Sequence, residues 1–181
     1  MDFILDHQKA LQAAAFLLTR EGEMTRIRLL KLLYLADRAS LEETGRTITG
    51  DQVVAMEHGP VLSTVYDWIK HSNQEWSSIV ENEGKHGLRL VRDPGTGNLS
   101  RYDVRKLSEI SDRYLELDEW EIVELTHQLP EWKKNDPGKS SKPIPLHDIL
   151  EGLGKLYAED EIVANIKAQA FRENAFRSVA D

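Results

Sequence analysis

Thr25–Gly45, TRIRLLKLLYLADRASLEETG, is the stretch whose reading decides the fold. From Leu29 to Ala36 every residue except Lys31 is apolar. Nothing in it breaks a helix, and Thr25 and Gly45 are good cap residues at its two ends. A helix that is apolar nearly all round is covered by neighbours on most sides. The segment is therefore predicted to be the central helix of the chain. Asp37 shares a helical face with Leu30, Leu33, Tyr34 and Leu41. A carboxylate on a buried face must find hydrogen bonds or a positive partner, or become neutral. Whatever touches Asp37 is either structural glue or part of a site.

The pattern around this helix predicts further elements. Asp6–Glu21 reads as a first helix, with Ile4, Leu11, Ala15 and Leu18 at helical spacing and Gly22 as its stop. Gly50-Asp51 signals a turn and Gln52–Met56 a short strand. Pro60 suits the first position of a new helix carrying Val61, Leu62, Val65, Trp68 and Ile69. Leu88–Leu90 and Leu99–Tyr102 flank DPGTGN and read as a β-hairpin. Ser108 opens another helical stretch, and Asp118 with Glu121 forms a capping-box pattern ahead of a helix that stops at Pro130. Glu131–Pro145 reads as a loop, Leu146–Leu153 as a short helix, and Glu159–Val179 as a peripheral one with weak apolar spacing. The fold class expected is mainly α with a small β-hairpin or sheet (α+β), in a winged-helix-like arrangement with additional helices.

Composition bounds the function. A chain of 181 residues suits one domain of ordinary size. Its net charge of −8 argues against general affinity for nucleic acid, which needs an excess of Lys and Arg. There is no cysteine, so disulfides, thiolate chemistry and Cys-based zinc sites are excluded; this fits a reducing cytoplasm. The N-terminal sequence lacks a signal-peptide pattern, and no window approaches a membrane span.

Three blocks carry a family likeness: KLLYLADR (Lys31–Arg38), TGRTITGD (Thr44–Asp51) and VAMEHGPVLSTVYD (Val54–Asp67). In this order they resemble the core of the Panacea domain, the SocA-like, phage-associated antitoxin domain. The likeness extends over about residues 5–150, so residues 1–154 are read as the antitoxin-like domain and 155–181 as a peripheral, partner-binding helix. The resemblance implies an antitoxin that neutralises a co-encoded toxin by direct protein–protein binding, with no cofactor and no catalysis. The residues matching the family pattern, and hence candidates for partner binding, are Tyr34, Asp37, Arg38, Asp51, His58, Gly59, Pro60 and Tyr66. Asp37 is expected to be satisfied near this corner, by backbone around Gly50 or Gly59, by His58 or by Tyr66. Two readings stay open: these groups lock the turn, or Asp37 and His58 line a pocket.

Other constellations compete with this reading. Glu124-x-x-His127 and Glu83-x-x-His86 have metal-ligand spacing but lack further ligands, and solvated side chains explain them as well. No nucleophile elbow or phosphate-binding Gly-rich loop is present. Residues 85–106 carry a local excess of basic charge, and Arg89, Arg92 and Arg101 on a wing-like hairpin offer phosphate contacts; a charged, protected strand edge is the alternative. A DNA-binding regulator and an adaptor delivering a partner to a protease are thus the rival functions. The acidic run 109–124 suits a solvated face or a basic partner. Trp68, Trp76, Trp120 and Trp132 are candidates for interface anchors or for core.

Overall fold

The computed structural model describes residues 3–177. Asp6 caps α1 (His7–Glu21) by accepting from Lys9 N–H, and two-residue β1 (Met24–Thr25) leads into α2 (Arg26–Thr44). Thr25 accepts from Arg28 N–H, and Gly45, at φ 71°, ends α2 in the left-handed conformation. Both ends of the central helix thus lie where its cap residues predict. Leu29, Leu32, Leu33, Tyr34 and Leu41 are buried, as is Lys31. Each such leucine contributes roughly 1.5–3 kcal/mol on burial.

After α2 the chain makes a hairpin, β2 (Val53–Met56) and β3 (Gly59–Leu62), and enters α3 (Ser63–His71). Pro60 lies in β3 opposite Ala55, not at a helix start. Proline is tolerated there because β3 is an edge strand of its sheet. The helix instead begins at Ser63, where Asp51 accepts from Thr64 and Val65 N–H.

A short α4 (Gln74–Ser77) precedes a second hairpin, β4 (Val80–Glu83) and β5 (Gly87–Leu90). This corrects the expected hairpin across DPGTGN. The strand at Leu88 pairs backward with Asn82 and with Met24 of β1, not forward with residues 99–102. Ser100 and Asp103 form a reciprocal capping box that draws Arg101 and Tyr102 into α5 (Arg101–Arg113), which therefore begins well before Ser108. The intervening loop is tied to α1: Gln12 donates to Asn98 Oδ1 at 2.9 Å and accepts from Asn98 N–H at 2.8 Å.

The Asp118–Glu121 capping box opens α6 (Glu119–His127) as expected. Pro130 then starts α7 (Pro130–Lys134). The stretch read as loop holds this helix and also β6 (Lys142–Ile144), which pairs with β2. Then follow α8 (Leu146–Gly152) and α9 (Glu159–Arg177). The described residues form a mostly helical α+β fold with two small antiparallel sheets, in the orders β1-β5-β4 and β3-β2-β6. Helices α1, α3, α5 and α6 and strands β1 and β3 pack around α2. Among its described residues α9 buries only Ile162, against Gly45 at the end of α2, and leaves Phe171 exposed.

Glu131 fastens α7 to α2. It is fully buried and accepts from Tyr34 Oη at 2.6 Å and from Arg38 Nε at 2.6 Å. Removing one partner of a buried ion pair strands the other charge, which costs about 3–5 kcal/mol. Glu131→Ala is therefore expected to lower the unfolding free energy by about that amount in urea titration, with α2 left intact.

Candidate functional site

Two neighbouring arrangements emerge where α2 faces the β2–β3 hairpin. The first is a lock. Asp37 is 3% exposed and accepts from Ile48 N–H at 2.8 Å and Thr49 N–H at 3.0 Å, while Thr49 Oγ1 donates to its second oxygen. The same Thr49 hydroxyl oxygen accepts from Asp51 N–H at 3.1 Å. Asp51 in turn accepts from Gln52 N–H and from the first N–H groups of α3. One carboxylate on α2 thus sets the turn 46–50, and a second sets the helix that follows. Unpaired N–H groups at a helix start favour such an acceptor.

Burial raises the Asp37 carboxyl to about 7, with the Thr49 and Ile48 donors opposing that rise and Asp51 adding to it. Burial likewise raises Asp51. Of the expected partners of Asp37, backbone beside Gly50 is the right neighbourhood. His58 and Tyr66 are not among its hydrogen-bond partners. Asp37 belongs to the lock and is not part of the lining of the cavity at His58.

The second arrangement is the corner at Met56–Pro60. His58 is exposed, and its ring meets the indole of Trp120 edge-on at 5.3 Å between centroids. Trp120 itself is 52% exposed. His127 stacks on Trp132 at 4.1 Å and bonds the Glu57 carbonyl at 3.1 Å, while Trp132 Nε1 donates to the Met56 carbonyl. The hairpin turn is therefore held by two α6–α7 side chains and flanked by an exposed indole.

Gly59 is required here on two counts. Its φ is +94°, and a Cβ would fall 2.5 Å from Thr126 Oγ1 and 3.1 Å from Lys31 Nζ. Beneath it, Lys31 is 1% exposed and donates to the Pro60 carbonyl at 2.7 Å. Burial lowers its amine to about 7. A cavity of about 240 Å³ opens beside this corner. Its walls include Leu30, Lys31, Met56, His58, Gly59 and Tyr66.

The remaining candidates are placed apart from this cavity. Tyr34 and Arg38 serve Glu131, and burial followed by the Glu131 charge raises the Tyr34 hydroxyl well above its ordinary value. Arg89 is paired with Glu81 and Glu83 on the adjoining strand, and Arg92 donates to Ser78. Arg101 stands exposed in the first turn of α5. Trp68 and Trp76 are core residues. No group of three or more His, Asp or Glu side chains among the described residues is arranged to hold a metal. No helix among them is long and apolar enough to cross a membrane.

Sequence reasoning missed Glu131, which it left in a loop, and gave no role to Lys31. The signal for Lys31 was present: it is the one charged residue in an eight-residue apolar run.

Fold and site together define a helix-cored scaffold whose α2 is locked to a Gly-Pro hairpin corner with a cavity beside it. The chain belongs to the family described as antitoxin SocA-like, Panacea domain, which it matches over residues 29–133, from the first turn of α2 to α7. That span holds the lock, the corner and Glu131, and it is narrower than the likeness read from the sequence. No curated protein and no solved structure matches the chain.

The lock makes a definite prediction. Asp37 holds a proton to higher pH in the folded chain than in the unfolded one. Its contribution to stability is thus fullest below about pH 4 and is lost as pH rises to about 7. Asp37→Asn should flatten this decline in urea midpoints measured from about pH 4 to about pH 8. Asp37→Ala, which strands two N–H groups and a hydroxyl, should cost about 2–4 kcal/mol near pH 4 and less as pH rises.

Proposed function

We propose that the chain is an antitoxin that binds a co-encoded toxin directly and covers its functional surface. The observation that carries this reading is family membership over residues 29–133. The action is steric and stoichiometric, with no chemistry and no cofactor of the chain's own, and it takes place in the cytoplasm in a phage-associated genetic setting. The surface best suited to the task is the hairpin corner, where Trp120 is exposed beside His58 and the cavity. A rigid aromatic anchor next to a recess is a common centre of binding energy. The acidic residues 109–124 would speed encounter with a basic toxin.

The rival DNA reading, with a winged-helix arrangement and the β4–β5 hairpin as wing, draws little support from the side chains. Two carboxylates already engage Arg89. Gel shifts at low and high salt separate it, because phosphate contacts weaken steeply with salt. Partner half-life with and without this chain separates the adaptor reading.

The deciding experiment is co-expression with the neighbouring gene. Its product should arrest growth alone and release the arrest, in a purifiable complex, when this chain is present; arrest that persists despite folded, abundant chain refutes the reading. Within it, deletion of residues 158–181 should leave the core folded, because α9 buries only Ile162 among its described residues. Toxin affinity, measured by calorimetry, should fall.

A further inference from the structure

Lys31 is an unusual residue in its surroundings. It is buried among leucines, and its one hydrogen bond among the described residues goes to the Pro60 carbonyl. No carboxylate pairs with it among those residues. An ammonium group carries three N–H donors, so two are left over. Burying a charge without a counter-ion is costly, and a hydrophobic residue of similar volume serves a core better. Beyond its bond to the Pro60 carbonyl, Lys31 gives the core nothing that Met or Leu would not.

Lys31 also forms part of the wall of the 240 Å³ cavity. The rest of the wall has two characters. Ile27, Leu30, Met56 and Val61 make it apolar, while Glu57, His58, Lys139 and Ser140 are exposed around it. The ionisable groups lining it are Glu57, His58, Tyr66 and Lys139 besides Lys31. Lys139 offsets Glu57 on the rim, so Lys31, its amine lowered to about 7 by burial, is the cationic group left without a counter-ion in this recess. Volume, wall and charge together fit a carboxylate on a short apolar arm. They fit neither a basic side chain nor a purely apolar one.

We propose that the cavity beside the β2–β3 corner receives a carboxylate on an apolar arm, presented by a segment of the protein partner, with Lys31 as its counter-charge. The proposal rests on the antitoxin reading for the identity of that partner. The carboxylate takes up the two spare N–H donors, and its apolar arm covers Leu30, Met56 and Val61. Trp120 then lies at the edge of the contact, through His58. A full ion pair forms at a point where the free protein holds only half of one.

Two probes test this on the full chain. The first is isovalerate, with isovaleramide as its uncharged control, added to protein carrying isotope-labelled lysine. Isovalerate, and not the amide, should keep the Lys31 amine protonated to higher pH; an unchanged Lys31 overturns the site. The second is the growth-arresting product of the neighbouring gene. Lys31→Met keeps the length of the side chain and removes its buried amine, so the variant should remain folded and bind that toxin at least about tenfold more weakly. Ser140→Trp, which narrows the cavity without touching the core, should weaken binding likewise and guards against a misfolded Lys31→Met.

Toxin binding that neither variant alters overturns the docking proposal alone, even where isovalerate binds, since the carboxylate then comes from a small molecule. Failure of the wild-type chain to bind the toxin overturns the antitoxin reading and this proposal together.

Discussion

Burying the middle of α2 on every side imposes one constraint on the rest of the molecule: each polar group held there must be satisfied from within the protein. Four of them are answered by three different parts of the chain. Asp37 draws the turn at Ile48–Thr49 onto the helix. Tyr34 and Arg38 together draw in Glu131 and with it α7. Lys31 reaches the Pro60 carbonyl and so fixes the hairpin corner. In a low-dielectric interior such pairings are directional and costly to leave unmade, whereas leucine contacts are forgiving of small shifts. The leucines provide most of the driving force for burial; the polar side chains decide which loop, which helix and which strand end up beside α2.

The elements legible in the sequence were those with a local mechanism. Thr25 and Gly45 bound α2, Asp6 caps α1, and Asp118 with Glu121 opens α6, because caps act within a single turn. The misreadings came where two local signals competed or where the partner was distant. DPGTGN has turn chemistry, but the capping box at Ser100–Asp103 is as local and commits the following residues to a helix. Pro60 suits a helix start and an edge strand equally, and only the pairing with Ala55 decides between them. Lys142–Ile144 has no strand signature of its own and is ordered by β2.

The candidate site was legible in part for the same reason. His58, Gly59 and Tyr66 do come together around one cavity, whereas the Asp51 carboxylate serves the start of α3 and not the turn it follows. Asp37 was correctly singled out as a buried carboxylate needing partners, but which donors reach it depends on how the turn folds back. Glu131 could not be tied to Tyr34 and Arg38 by spacing, since no periodicity links a helix to a residue so far along the chain. The division between lock and cavity is therefore a product of tertiary structure, and it separates the residues that hold the corner from those that face outward.

The strand Val53–Met56 lies between β3, made directly after it, and β6, made after the matched family region has ended. Until Lys142–Ile144 leaves the ribosome, one side of Val53–Met56 offers bare backbone donors and acceptors, the kind of border that recruits foreign strands or proteases. Glu131 arrives only slightly earlier. A prematurely terminated product thus carries every family motif up to Tyr66 yet has no finished hairpin corner. The outer edge of Val53–Met56 is thus closed only by residues made long after the hairpin itself.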